Sequence, residues 1–462
     1  MQEQINDGKN TIFDEGSFRD PEGRVFRAEN ERVYRTLSDS SVQRMQRLLS
    51  SNWFEGFVGD GRICPTSIEK NRFNCIESKY LLQHERMKPI VCPCEFSFEM
   101  LKDAALLTLD IMLKCLEHEL ILKDGSAWNV TVYKGKMCFF DILSIDSYQE
   151  GQVWNGYGQF CQEFLYPLLL KSQLGIDFQP FLKSSLKGVD IKIIANMISP
   201  LRLLKTNGGG ALKHVFLRNF LERTAQGTSV KGRFSLPKAG LIKLIRSMKS
   251  FVLKLKPKSK YSVWLGYDED NSYRDRDVKA KEAFISEYFD RTLKTLIDLG
   301  CNTGHYSFLA SRDCKVIACD FDGDCIDVVY KKSASNVVPV VLDLMNPSPS
   351  CGWGLTERKS IYERLGHQDG FLALALIHHI CIVNNVPLEF FIKQLKSLAS
   401  SGVLEWISKD DPMVQVLLRN RDDVFIDYTW ENFEAVVSKH FKIIKIQDTN
   451  NGTRTLCMLE SA

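Results

Sequence analysis

Leu296-Ile-Asp-Leu-Gly-Cys-Asn-Thr-Gly-His305 is the stretch on which the reading of this 462-residue chain turns. An apolar run ends at Asp298 and passes into a turn with glycine at 300 and 304, after which 306–310 opens a helix. Gly300 and Gly304 let the backbone bend sharply and approach a ligand more closely than a residue with a Cβ allows. Asn302, between them, is one of the non-glycine residues that best accept a left-handed conformation. A dinucleotide turn needs G-x-G-x-x-G to admit a pyrophosphate at the helix N-terminus. Here Asn302 and His305 stand at the second and third glycine positions, so that fit fails. A ligand without a pyrophosphate suits the turn better, with Asp298 available to a cationic group.

Outward from this turn the chain alternates strand and helix. Candidate strands lie at 293–298, 315–320, 337–343, 371–376 and 403–407, and a final pair at 441–447 and 455–459 is joined by a loop suited to an antiparallel hairpin. This order predicts a parallel sheet covered by helices on both faces. The second strand ends in Cys319-Asp320-Phe-Asp322 and the third in Leu342-Asp343. A carboxylate at the tip of the second strand is placed to accept the hydroxyls of a ribose, and Asp343 could accept from an adenine amino group. One acidic residue after a strand is commonly a helix cap. Three at consecutive strand ends, the first leading into a glycine turn, are a far more specific pattern.

Asp298-Leu-Gly-Cys-Asn-Thr-Gly304 resembles the nucleotide motif of class I S-adenosylmethionine-dependent methyltransferases, an acidic residue followed by Gly-x-Gly-x-Gly, with Asn302 at the middle glycine. The resemblance implies a Rossmann-like seven-stranded sheet, six strands parallel and one antiparallel. It implies S-adenosylmethionine as cofactor, with Asp298, Gly300, Asn302 and Gly304 around its amino-acid end, Asp320 on the ribose and Asp343 near the adenine. A narrower resemblance runs through 343–349, Ala373-Leu-Ala-Leu-Ile-His-His379, Lys409-Asp-Asp-Pro-Met413 and Leu122-Lys-Asp-Gly-Ser-Ala-Trp-Asn129. These segments are similar to the bacterial family of NoeA-like nodulation proteins.

Methyl transfer is an in-line displacement, so the protein chiefly positions the acceptor and removes its proton where necessary. His378 and His379 follow the fourth strand, where this fold places acceptor-side residues, and imidazole is a natural base near neutral pH. Adjacent residues point in different directions, so one His is expected at the acceptor and the other in packing. Glu405 lies inside the fifth strand, where a carboxylate is costly unless paired. It is expected either to bind the acceptor or to bridge to a basic neighbour. The chain lacks the Asn-Pro-Pro-Tyr type motif of amino- and amide-directed enzymes, which favours an oxygen acceptor, a saccharide or small metabolite. No metal site is expected, because Cys92-Pro-Cys94 has no second pair to answer it.

The N-terminal half carries a second constellation. Asp124, Asn129 five residues on, and Asp141 after the next hairpin have the spacing of a kinase catalytic loop with its metal-binding Asp. Leu122 replaces the usual His, Asp141-Ile-Leu replaces Asp-Phe-Gly, and no glycine-rich phosphate loop precedes them. A degenerate kinase-like lobe that binds or presents substrate is therefore preferred over an active phosphotransferase. Upstream, Pro21 and Gly23 suggest a hairpin over 18–26, and helices are expected near 40–50 and 99–119.

Apolar residues make up 44% of the chain and charged residues 25%, the balance of a folded globular protein. The net charge is +3, yet every charged residue in 231–260 is basic, so the rest is net acidic. That distribution argues against a stable nucleic-acid partner. Leu241, Ile245, Met248 and Val252 recur at helical spacing in the basic segment. Weak contact with a membrane surface is one reading, and a helix that buries its stripe within the protein is the preferred one. The expected organisation is an α+β domain over 1–205, a basic helical linker over 206–262 and a methyltransferase domain over 263–462. The polar N-terminus and the lack of any 18-residue apolar run predict a cytoplasmic protein.

Overall fold

Five short strands open the fold: β1 (Ile12–Phe13), β2 (Val25–Arg27), β3 (Val33–Leu37), β4 (Thr66–Lys70) and β5 (Tyr80–His84). They form an antiparallel sheet in the order β1-β2-β3-β5-β4. These are features of a computed structural model that describes residues 12–20, 22–28, 32–73, 76–205, 214, 235–258, 275–419 and 422–462. An aromatic cluster holds the sheet: Phe26 stacks on Tyr34 at 5.5 Å between centroids, and Phe73 meets both rings edge-on. Helices α1 (Asp39–Leu49) and α2 (Asn52–Gly59) connect β3 to β4. The hairpin expected over 18–26 is instead a 3-10 turn, Glu15–Arg19, followed by β2. Asp14 diverts the chain by capping that turn, its side chain accepting from the Gly16 amide at 3.0 Å.

Beyond the sheet, α3 (Phe98–Glu117) is buried on most of its circumference, which suits a sequence apolar nearly all round. After it come β6 (Leu120–Leu122), β7 (Val130–Tyr133), β8 (Lys136–Phe139) and β9 (Ile145–Ser147). They pair as β6 with β9 and β7 with β8. Helix α4 (Lys238–Leu253) packs along α3, burying Leu241, Ile245, Met248, Phe251 and Val252. Lys249 pairs with Asp110 of α3, and Lys102 donates to the Leu255 carbonyl at 2.9 Å. The apolar stripe is thus spent inside the unit, which leaves the membrane-surface reading without its apolar face. The helix belongs to the first of two compact units, Met1–Lys260 with Pro349–Ser360, rather than standing as a linker. The rest of the expected 206–262 linker lies largely outside the described residues.

The second unit, Tyr261–Ser348 with Ile361–Ala462, is built on a seven-stranded sheet. Its strands are β10 (Thr295–Leu299), β11 (Lys315–Asp320), β12 (Val337–Val341), β13 (Gln368–Ala373), β14 (Ala399–Ile407), β15 (Phe441–Thr449) and β16 (Arg454–Ser461), ordered β12-β11-β10-β13-β14-β16-β15. The first five in that order run parallel, and β16 runs antiparallel to both its neighbours. Strands β10 to β12 read as continuous apolar runs because both faces are covered. Pro339 inside β12 is accommodated at the sheet edge. Helix α5 (Asp275–Phe289) seats Phe284, Ile285 and Tyr288 against Leu296 and Val316. Strand order reverses between β10 and β13, and it is at such a reversal that an open α/β sheet leaves a crevice at its carboxyl edge.

Candidate active site

At that reversal the β10 chain leaves the sheet through three left-handed residues: Gly300 at φ +75°, Asn302 at +50° and Gly304 at +82°. The Gly300 and Cys301 amides both donate to the Cys319 carbonyl, at 2.8 and 2.9 Å, and the Gly304 amide closes the turn on Cys301 at 2.9 Å. Helix α6 (His305–Ala310) follows directly. A Cβ on Gly300 would meet only Leu376 Cδ1, at 3.6 Å. The backbone there fronts open space, and the tip of β13 lies beside it. A Cβ on Gly304 would collide with Phe308 and Val329, so this second glycine serves packing.

Asp298 is buried at the end of β10 and accepts from Ser307 Oγ at 2.6 Å. Burial, reinforced by the Asp320 charge, pushes its carboxyl up to about 7. Ser307 was not singled out in the sequence, since a serine in a first helical turn reads equally as a local cap. Asp320 ends β11 and braces the turn: Oδ2 accepts from the Asn302 amide and Oδ1 from the Asp322 amide, each at 2.9 Å. Burial raises its carboxyl to about 6 against those backbone donors. Asp343, two residues past β12, is half-buried and accepts from the Met345 amide at 2.9 Å. The structure thus puts Asp298, Asp320 and Asp343 at the carboxyl ends of three adjacent strands around one glycine turn.

Across the reversal, β13 leads into Ala375 at φ +49°, whose amide donates to Glu405 Oε2 at 2.8 Å. Glu405 is fully buried, and the same oxygen accepts from Lys281 Nζ of α5 at 2.7 Å. Of the two expectations for Glu405, acceptor binding or a bridge to a basic neighbour, the contact seen is the bridge, to Lys281. In this arrangement Glu405 fixes the backbone turn beside the glycines and offers no exposed base. His378 is only 1% exposed, its Nδ1 is buried without a partner, and burial drives its imidazole down to about 3. His379 is half-buried, its ring 4.1 Å from that of His378, and burial, aided by Arg454, lowers its pKa as well. The two rings diverge in exposure because they enter a helical turn, which separates neighbours around its axis.

A sheet that reverses at a glycine turn, with acidic strand tips on one side of the reversal and a histidine pair on the other, leaves a crevice at its carboxyl edge that can take a ligand. No protein-family model matches the sequence. The nodulation protein NoeA of Rhizobium meliloti (strain 1021) is 33% identical over 468 residues, covering 96% of this chain and 95% of that protein. The chain belongs to the NoeA family. Among solved structures it is similar to the N-methyltransferase NodS from Bradyrhizobium japonicum WM9 in complex with S-adenosyl-L-homocysteine (10% identity, 43% of this chain, 96% of that one, TM-score 0.31). It is also similar to the PH0226 protein from Pyrococcus horikoshii OT3 (16% identity, 45% and 100%, TM-score 0.32). A third is the bifunctional kinase-methyltransferase WbdD (17% identity, 42% and 41%, TM-score 0.29).

Proposed function

We propose that this protein transfers a methyl group from S-adenosylmethionine to a hydroxyl of a saccharide or small metabolite. The observation that carries the reading is the open face of the Gly300 turn, flanked by the three acidic strand tips. The residues fit that cofactor. A backbone cradle that a side chain would fill suits its amino-acid end, Asp320 keeps lone pairs for a ribose, and half-buried Asp343 is within the crevice edge expected for adenine. When bound, the sulfonium supplies an activated methyl group, and the chain's own residues hold the acceptor in line and dispose of its proton.

Of the two histidines, His379 is the better candidate to receive that proton. Its depressed basicity keeps the ring neutral, hence able to accept, at physiological pH. His378 lies behind it as packing, and Glu405 acts through the Ala375 turn. We read the first unit as kinase-like. Its five-stranded sheet with helices between β3 and β4, followed by Asp124, Asn129 and Asp141 around the β7–β8 hairpin, supports this. Its role here is to present substrate. A protein that kept the fold without the reaction would bind no cofactor. Calorimetry with S-adenosylmethionine is expected to give saturable heat, and labelled-methyl transfer to extracts of the native cell is expected to be lost in His379→Ala with cofactor affinity retained. Absence of binding would refute the reading.

A further inference from the structure

The connection between β1 and β2 is tied to the Asp124 loop of the first unit by charge. Arg35, a buried residue of β3, donates Nη1 to Asp141 Oδ1 at 2.6 Å and Nη2 to Asp20. Asn129 Nδ2 donates to the other Asp141 oxygen at 3.1 Å. Two residues beyond Asp20, Glu22 accepts from Lys123 at 3.0 Å and from Arg44 of α1 at 2.8 Å, and Arg44 also pairs with Asp146.

In a kinase-type site the basic side chain of the third strand pairs with nucleotide phosphates, while the Asp after the hairpin and the Asn of the loop hold magnesium. Here those valences are satisfied within the chain. The Asp20 carboxylate lies against the Arg35 guanidinium, where a phosphate would bind, and Asp141 is shared between Arg35 and Asn129. The glycines of the connection are also occupied: an ideal Cβ on Gly16 would stand 2.2 Å from the Glu357 carbonyl oxygen, and one on Gly23 would stand 2.1 Å from that of Thr36. Their close approach is to protein backbone, not to a phosphate. As arranged, these residues do not fit a magnesium-nucleotide complex.

We propose that the first unit holds a latent site for a magnesium-bound nucleotide, latched shut by Asp20 acting as an internal substitute for phosphate on Arg35. The inference rests on the kinase-like reading of this unit. The Arg35 side of the latch is held by geometry rather than by chance surface pairing, since Arg35 is 8% exposed and also bonds the Gly23 carbonyl and Asp141, while Asp20 is partly buried against it. Freeing Arg35 by removing Asp20 exchanges an internal anion for an external one.

The test is calorimetric titration of the full-length protein with magnesium and ADP. The natural chain is expected to give no saturable heat up to the highest ADP concentration used, and Asp20→Ala to saturate with a dissociation constant at least roughly tenfold below that concentration. Adding Asp141→Ala to that variant is expected to abolish the gain. Asp20→Asn, which keeps the shape and removes the charge, guards against a folding defect in the alanine variant and is expected to gain affinity in the same direction. Saturable binding by the natural chain that Asp141→Ala abolishes would overturn the latch but leave the kinase-like reading standing. No binding by an Asp20 variant whose thermal melt matches the natural chain would overturn both.

Discussion

At position 300 the constraint is conformational rather than steric. With φ at +75° and only Leu376 Cδ1 near an added Cβ, Gly300→Val strains the backbone of the turn and fills the open face, without invading the core. A side chain held in that region costs about 1–3 kcal/mol. The expected outcome is loss of S-adenosylmethionine binding by calorimetry with a cooperative melt retained, and unchanged affinity would contradict the site. Asp298 carries a second prediction at this scale. Its folded-state carboxyl is raised to about 7, well above the range of an unfolded aspartate. Between those values the native state binds the extra proton, so its contribution is fully present below the unfolded value and is lost as pH rises to 7. Asp298→Asn should therefore gain on the natural chain as pH goes from 5 to 8, read as the difference in urea midpoint at the two values. Residues of this kind were unequally legible. Gly300, Asn302 and Gly304 announce themselves because residue type limits backbone angle, whereas Ser307 and the choice between His378 and His379 depend on directions that only packing decides.

The buried pairs connect elements, and these the sequence conceals. Arg454 opens β16 and Asp411 caps the short helix Pro412–Leu418; their side chains are 1% and 0% exposed, with Nε to Oδ2 at 2.7 Å. The pair ties the antiparallel strand to the loop after β14. Removing Arg454 leaves the Asp411 charge buried with only neutral donors, from Met413, Asn450 and Thr453, at a cost of roughly 3–5 kcal/mol. Arg454→Met is expected to lower the unfolding free energy of the second unit by that order, read from urea denaturation, and Arg454→Met with Asp411→Leu to recover part of the loss. Equal stability of the single and double variants would show that the buried charge is not the source. Strand positions were far easier to read than such pairs. Lys315–Asp320 was placed with its observed bounds, and β10, β13 and β14 within a few residues, because a covered parallel strand is a run of apolar residues between turns. The 15–19 turn was missed because the Asp14 cap outcompetes the extended conformation that Pro21 and Gly23 suggested. Helix α4 was legible as an amphipathic helix, and its basic face alone made a linker plausible, since the Asp110 and Leu255 partners of its surroundings are remote in sequence or unremarkable in type.

Over the whole chain, the order of residues and the order of units differ. After β12 the chain leaves the second unit at Ser348 and returns at Ile361, while Pro349–Ser360 belongs to the first. Within that unit, Glu357 is nearly buried, accepting from Arg19 Nη2 at 2.9 Å and from the Trp353 amide at 3.0 Å. The Arg358 guanidinium carbon lies 5.5 Å from the Trp128 ring centroid, beside the Asp124 loop. No local pattern announces this excursion, because Arg19 and Glu357 are 338 positions apart. A boundary drawn at 260 would therefore deprive the first unit of part of its own structure. A fragment of residues 1–260 is expected to unfold at lower urea than the same unit in the full chain, followed by tryptophan emission with Trp128→Phe as the control for the probe. Glu357→Ala in the full chain should shift that transition in the same direction, and added salt should narrow the difference where Arg19 is exposed to solvent. A fragment as stable as its counterpart in the full chain would mean that 349–360 merely rests on the first unit. A lower midpoint restored by supplying the 349–360 peptide in trans would establish it as an integral part, contributed by a chain segment that begins six residues after Asp343.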